Sequence, residues 1–360
     1  MKPLITGLGC VTTLGTSPEA LHRGLLDAAP THLGAGTVTT PDVVARDAQT
    51  PRRWLEKSVA AALEDARWPV DTALPMVVLA GQAVATPGSP ASQMFTPSQL
   101  AVRGSLVSVD AIVSHACASG LFAMDLAVAL LRMGAAPAVL VAGANTANDH
   151  VLASMRVVKA VSGARGRPFD RARDGITVGE GAGALLLETP EHAARRGGPA
   201  RAAVLSSATQ VAGASATASS VETVLHCMHT AIDASGIREL GHVHAHATGT
   251  VQGDAAELEA LSRLATARSW ADLPVTSHKG SLGHLMQASS FPAVIAAITA
   301  MDRQELPGTT HLHNPMAAER LLLPGHGHPL SLTRRHRTAL VNAFGFGGNN
   351  ASIVLESIAA

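Results

Sequence analysis

A thiol stands where a strand runs into a helix. Cys117 lies in SHACASGLFAMDLA (114–127), between the apolar run 107–113 and a long apolar segment. In that segment Leu121, Phe122, Met124, Leu126, Val128 and Leu131 cover most helix faces, and only Ser119, Asp125 and Arg132 interrupt them. Such a helix is buried nearly all round. Its N terminus then faces the interior with unpaired N–H groups and the positive end of the dipole. That setting is expected to lower a thiol's pKa, and the thiolate is the nucleophile. Small neighbours (Ala116, Ala118, Ser119, Gly120) permit a tight turn and leave room for a substrate. On position alone, the competing reading is a small buried hydrophobe, the usual state of a free cysteine.

Four later segments bear on that choice. RPFDRARDGITVGEGAGALLLE (167–188) is a charged turn leading into a Gly-rich strand, and VHAHATGTVQGD (243–254) ends a strand and enters a loop. TSHKGSLGHLMQASS (276–290) spaces Lys279 and His284 five apart around Gly280 and Gly283, and NAFGFGGNNASIVLE (342–356) is a Gly-rich turn entering the last strand. Each alone is a weak signal, since Gly-rich turns before strands are common.

The elements that must hold these segments alternate. Apolar runs predict strands over 4–5, 76–80, 111–113, 138–142, 182–187, 202–205, 242–246, 340–343 and 351–355. Periodicity predicts helices over 18–27, 52–65, 118–133, 191–196, 221–235, 254–265 and 291–301. Strand–helix alternation of this kind is an α/β architecture with helix-covered sheets. The chain also reads as two comparable halves, 1–190 and 191–360, with the charged, Gly-rich EHAARRGGPARA (191–202) as the seam.

Composition removes several function classes. Lys+Arg and Asp+Glu both number 27, so there is no basic excess to indicate a nucleic-acid partner. Three widely separated cysteines with no CxxC suit a reduced, cytoplasmic setting. The N terminus has no long apolar stretch of the signal-peptide kind. The longest apolar tract, 121–142, contains Asp125, Arg132 and Pro137, which predicts a buried helix and strand and no membrane span. Tyrosine is absent, so it supplies no acid, base or ligand.

Seventeen histidines raise the question of a metal. Alternate positions 242, 244 and 246 on a strand would spread over about 13 Å, too far for one ion. The pairs in HLH (311–313) and HGH (326–328) read as solvated loop residues, so no metal ligand is assigned. GLGCVT (7–12) lacks the later glycine of a dinucleotide fingerprint.

Taken in order, the cysteine turn, HATGT, KGSLGH and GFGGNN resemble the β-ketoacyl-acyl-carrier-protein synthases of the elongating type, within the thiolase-fold superfamily. The likeness runs from ITGLG (5–9) to SIVLE (352–356). It implies a five-layered αβαβα fold built from two pseudo-duplicated halves. It implies that Cys117 takes an acyl chain as a thioester, and that His246 and His284 hydrogen-bond the thioester carbonyl of a malonyl group as CO2 leaves. The tetrahedral oxyanion would rest on the amides of Cys117 and Phe346. Lys279 would tune the histidines, Gly345 and Phe346 would belong to a gating turn, and Thr248 and Thr250 would bind a phosphopantetheine arm. Met155 would line the acyl pocket. No cofactor is implied beyond the carrier-bound phosphopantetheine. The implied partners are an acyl carrier protein and a second ketosynthase-like subunit, identical or not.

The acidic carrier of this family calls for a basic patch. Arg52, Arg53 and Lys57 are the first expectation, and Arg165, Arg167 and Arg171 the second. Four features depart from the family pattern. The segment 87–105 is short, Ala293 replaces a glutamate, Ala247 replaces a glycine, and Asn349–Asn350 ends the last motif. Degradative thiolases use a second cysteine near the C terminus, whereas the last cysteine here is Cys227. Initiating synthases use Cys-His-Asn, and His284 in its KxxxxGH setting argues against them. The alternative from another class is a non-catalytic, chain-length-factor-like subunit. Such a subunit usually lacks Cys117 or one histidine.

Overall fold

The computed structural model describes residues 1–27, 49–81, 97–212, 220–333 and 336–358. Ten strands carry the architecture: β1 (Leu4–Val11), β2 (Met76–Ala80), β3 (Ala111–Val113), β4 (Ala138–Asn145), β5 (Gly181–Glu188), β6 (Ala202–Val211), β7 (His242–His244), β8 (Leu273–Thr276), β9 (Thr338–Gly345) and β10 (Asn349–Ser357). The first five are ordered β1-β5-β4-β2-β3 and the second five β6-β10-β9-β7-β8, the same topology twice. The two sets join through a short antiparallel contact in which Leu4 faces Ala203 and Ile5 faces Ala202. With a two-residue edge strand, Leu321–Leu322, the described residues form one eleven-stranded sheet.

Helices α1 (Pro18–Leu26), α2 (Thr50–Asp65), α3 (Ser119–Arg132), α4 (Asp149–Val157), α5 (Pro190–Arg196), α6 (Val221–Ser235), α7 (Val251–Ala267), α8 (Lys279–Leu282) and α9 (Ser290–Arg303) complete the layers. Local chemistry sets several boundaries. Ser17, Thr189 and Ser220 accept hydrogen bonds from the first turns of α1, α5 and α6, and Pro occupies the first turn of α1 and α5. Left-handed Gly197 and Gly236 end α5 and α6.

Helix α2 covers the outer face of the first strand set, and α6 packs on β6 and β10 with α7 against it. Helices α3 and α9 lie between the two sets. This gives the αβαβα layering, with three main apolar clusters: one between the strand sets and one under each outer layer. Every residue of α9 from Ser290 to Met301 is buried. Its Phe291 presses on β5, where a Cβ on Gly183 would come within 2.3 Å of the Phe291 Cβ. Only glycine permits that approach. The polar stripe of α3 is used across the layer: Asp125 accepts from Ser207 (2.5 Å) and Thr209 (3.0 Å) of β6, and Arg132 donates to the Leu205 carbonyl (3.4 Å).

The charged segment after β5 is held by ion pairs. Arg196 donates to the buried Glu188 carboxylate, which His192 also meets at 2.7 Å, and Arg201 pairs with Asp65. Residues 87–96 of the shortened segment lie outside the described residues. Its remainder belongs to a small hairpin, Gln99–Val102 with Ser105–Ser108. Among the described residues no helix is long and apolar enough to cross a membrane.

Candidate active site

The Cys117 turn follows β3. Ala116 takes φ +48°, a left-handed conformation costly for a residue with a Cβ. Ser119 stabilises the turn: its Oγ accepts from the His115 amide (2.8 Å) and donates to the Ala116 carbonyl (2.6 Å). The end of β9 lies against it. A Cβ on Gly345 would sit 3.0 Å from both the Cys117 nitrogen and the His115 oxygen, a tight fit against backbone. The Phe346–Gly348 turn follows directly, with Gly347 at φ +76°. Asn349 donates to the Phe346 carbonyl at 2.5 Å, and its Oδ1 lies 2.8 Å from His115 Nδ1. The His115 ring stacks on Phe122.

The thiol departs from expectation in one respect. Burial pushes its pKa up to about 11, and Lys279 only partly offsets that. Desolvation outweighs the favourable charge, so the resting group is a protonated thiol. The buried thiols of Cys10 and Cys227 are likewise pushed up by burial, to about 12 and about 11, and neither has a lysine opposing it.

The second half supplies the imidazoles. Strand β7 ends at His244, two residues short of the expected 246. The cause is a buried carboxylate: Glu257 on α7 accepts from the His246 amide (2.9 Å) and the Ala247 amide (2.7 Å). Asp254, one turn earlier, accepts from Thr248 (2.9 Å) and Gly249 (3.0 Å). Asn342 of β9 braces Glu257 at 3.1 Å. The HATGT loop is thus fixed through its backbone, which leaves its side chains available. Thr248 and Thr250 hydroxyls meet at 3.1 Å. Burial raises both acids, Asp254 to about 7, against the pull of these amides.

Lys279 opens α8 and is buried, and its Nζ donates to the His246 carbonyl. Burial lowers its pKa to about 8, while Glu257, Cys117 and Asp254 favour the ammonium. Ala293, at the position where the family pattern has a glutamate, is buried apolar core. His284 is gripped by the Gly-rich segment before β5: its amide donates to Thr177 (2.7 Å) and its carbonyl accepts from Gly179 (2.9 Å). Its Nδ1 meets Ser289 Oγ at 2.8 Å, which orients Nε2 outward from that contact. The His246 and His284 rings lie edge to face with centroids 5.4 Å apart. Burial first and Lys279 second hold both well below the usual histidine range, so both are neutral N–H donors at pH 7.

Met155 of α4 packs against an apolar cluster that contains Cys117, Val178 and Met286. Arg165 and Arg167 flank the HATGT loop: a Cβ on Gly249 would come 2.8 Å from the Arg167 nitrogen. Arg173 donates to the carbonyls of Thr250 (3.3 Å) and Val251 (2.8 Å), and Arg171 to that of Pro315 (3.1 Å). Arg52 instead pairs with Glu56 at 2.9 Å, and Arg53 donates to Thr50 at 3.0 Å. Glu257, Asp254, Ser289 and the His115–Asn349 contact were not singled out from sequence. The i,i+3 acid pair just after HATGT was the available signal for the first two.

The arrangement is a buried thiol with two neutral imidazoles and one lysine, built from both halves of a duplicated fold. The β-ketoacyl synthase N-terminal domain family matches residues 45–193, and the C-terminal domain family matches residues 201–313. The chain belongs to the β-ketoacyl synthase family. It is 32% identical over 270 residues to 3-oxoacyl-[acyl-carrier-protein] synthase 2 of Rhizobium meliloti (strain 1021). That match covers 72% of this chain and 63% of the relative, less than two thirds of its length. Among solved structures, it superposes on the ketosynthase from module 6 of the bacillaene synthase of Bacillus subtilis 168. The TM-score is 0.85 at 21% identity, over 99% of this chain and 72% of that one. It also superposes on a type II polyketide acyl-carrier protein in complex with its hexaketide-bound ketosynthase, with TM-score 0.84, 20% identity and 99% coverage of both chains. These likenesses establish the thiolase-like fold.

Proposed function

We propose that this chain catalyses decarboxylative condensation of an acyl group with a malonyl thioester on an acyl carrier protein. In the first step Cys117 attacks the acyl thioester, the carbon–sulfur bond to the carrier breaks, and the carrier thiol leaves with the proton that Cys117 gives up. In the second, the malonyl carbon–carbon bond breaks and CO2 departs. The electron pair becomes an enolate whose oxygen accepts hydrogen bonds from His246 and His284. The enolate carbon attacks acyl-Cys117, the amides of Cys117 and Phe346 hold the oxyanion, and its collapse expels the cysteine thiolate, which takes a proton from water to restore the resting thiol. The β-ketoacyl product remains on the carrier. No external base is needed, because loss of CO2 creates the nucleophile, and the chemistry calls on neither a redox cofactor nor a metal.

The observation that carries this reading is the buried Lys279, whose charge acts on Cys117 and both imidazoles while its Nζ is bonded to the His246 carbonyl. The test is incubation with acyl-carrier protein followed by intact mass spectrometry. One acyl adduct on the wild type, lost in Cys117→Ala, is expected. No adduct under any condition overturns the enzyme in favour of a non-catalytic chain-length-factor-like subunit.

We further propose that the carrier docks over Arg165, Arg167 and Arg171, since that loop flanks Thr248 and Gly249, rather than over Arg52, Arg53 and Lys57. A second ketosynthase-like subunit completes the assembly, and native mass spectrometry reads whether it is identical. The three free cysteines support a cytoplasmic setting. We take residues 1–190 and 191–360 as the two halves.

A further inference from the structure

Two loops that read as solvated from sequence meet in space. His311, His313 and His326 bring one ring nitrogen each to within 4.8 Å of the others, the one such cluster of possible metal ligands among the described residues. The His311 and His326 rings are near-parallel with centroids 5.8 Å apart, and His313 lies 5.0 Å from His326. Backbone bonds fix the register of the two loops. Thr309 donates to Pro324 (2.8 Å), His326 to Leu312 (3.1 Å), and His328 to Gly325 (3.0 Å). His311 and His326 are half-buried and His313 is exposed, so the cluster opens to solvent on one side.

We propose that these three imidazoles form a binding site for a divalent transition metal of the zinc type, with water completing the coordination. Imidazole nitrogen suits zinc, and three histidines with an open position are an established donor set for it. A tetrahedral set at the usual zinc–nitrogen length places nitrogens about 3.4 Å apart. Rotation of the exposed His313 ring and small turns of the other two close the gap. The His326 Nδ1 contact with the His311 amide is long, 3.3 Å, and is the bond a metal displaces.

Arg165 and Arg167 lie near His311. The same arginines repel a dication, which places the affinity below that of an isolated three-histidine site. The site would act as a clamp. Thr310, inside the first loop, bonds Ser281 of α8 at 2.5 Å, and its carbonyl lies where a Cβ on Gly280 would fall. Metal binding therefore stiffens the wall behind Lys279. This inference does not depend on the condensation reaction.

The test titrates tag-free, chelator-stripped full-length protein with Zn2+ by calorimetry, and with Co2+ followed by visible absorption. One tight site per chain and a zinc-dependent rise in thermal midpoint are expected. His313→Ala and His326→Gln should each weaken binding by at least about 100-fold, more than loss of an outer hydrogen-bond partner produces. His226→Ala, on the distant α6, should leave binding unchanged. Wild-type affinity in both loop variants, loss of binding in His226→Ala, or no binding by the wild type overturns the proposal.

Discussion

The two halves share a strand order but equip the same position differently. Strand β3 is followed by Ser114-His115 and strand β8 by Ser277-His278. In the first half a single tight turn then delivers Cys117 straight into the 14-residue α3. In the second half α8, a break at Gly283, His284 and a short turn intervene before α9. The first arrangement keeps a thiol in a confined, buried place. The second makes room for a cation and an imidazole, with Glu257 and Asp254 buried near them. Buried charges need partners to be tolerated, and here they lie in the second half while the thiol lies in the first. Duplication supplied the scaffold, and the length of one loop decided which chemistry each copy could hold.

The comparison is tested hardest where the halves interlock. Phe291→Ala empties a fully buried site between the strand sets and is expected to cost about 3–5 kcal/mol. Urea unfolding should show one transition that shifts as a unit. Two separate transitions would mean that the halves are independent.

His284→Ala should lower the condensation rate about 10²–10³-fold, the cost of one oxyanion donor, yet leave acylation of Cys117 intact by mass spectrometry. Loss of both steps would erase the division of labour between the halves.

Lys279→Met tests the buried charge. The folded pKa of about 8 lies below the ordinary lysine value of 10.5. The unfolded chain therefore binds more protons between those values, and this group's contribution to stability rises with pH across that window. The stability advantage of the methionine variant should be largest below pH 8 and shrink by pH 9.5, read from urea midpoints. The thiols titrate in both proteins and largely cancel in the difference.

The smallest effect belongs to the surface. Arg167→Glu should raise the KM for carrier protein several-fold and flatten its salt dependence, whereas Arg52→Glu, which removes a side chain already paired with Glu56, should not. The reverse result would restore the α2 patch as the docking surface.

Apolar runs made most of the layers legible in the sequence. They did not show β8, a four-residue strand containing Pro274, or α4, a short helix marked only at its ends by the Asn148 cap, Asp149 and Arg156. The exposed hairpin at 99–108 was also missed, because its strands bury few side chains. Motif order brought Cys117, His246, Lys279 and His284 forward as site candidates. The direction of the thiol's shift was hidden, since burial depends on α4, on Met286 and on the turn from β9. The carboxylates behind the HATGT loop bond backbone amides, which residue identity alone does not reveal. The histidine cluster was invisible because two loops 15 residues apart meet only through their backbone register.

The uniform burial of α9 has a consequence for synthesis. The N-terminal strands, α2 and α3 are complete long before Phe291 is made, and the surface that α9 covers stays open until residue 303 emerges. At ordinary elongation rates that interval is on the order of 10–30 s. A nascent chain of this protein therefore carries an uncovered apolar surface through nearly half of its translation.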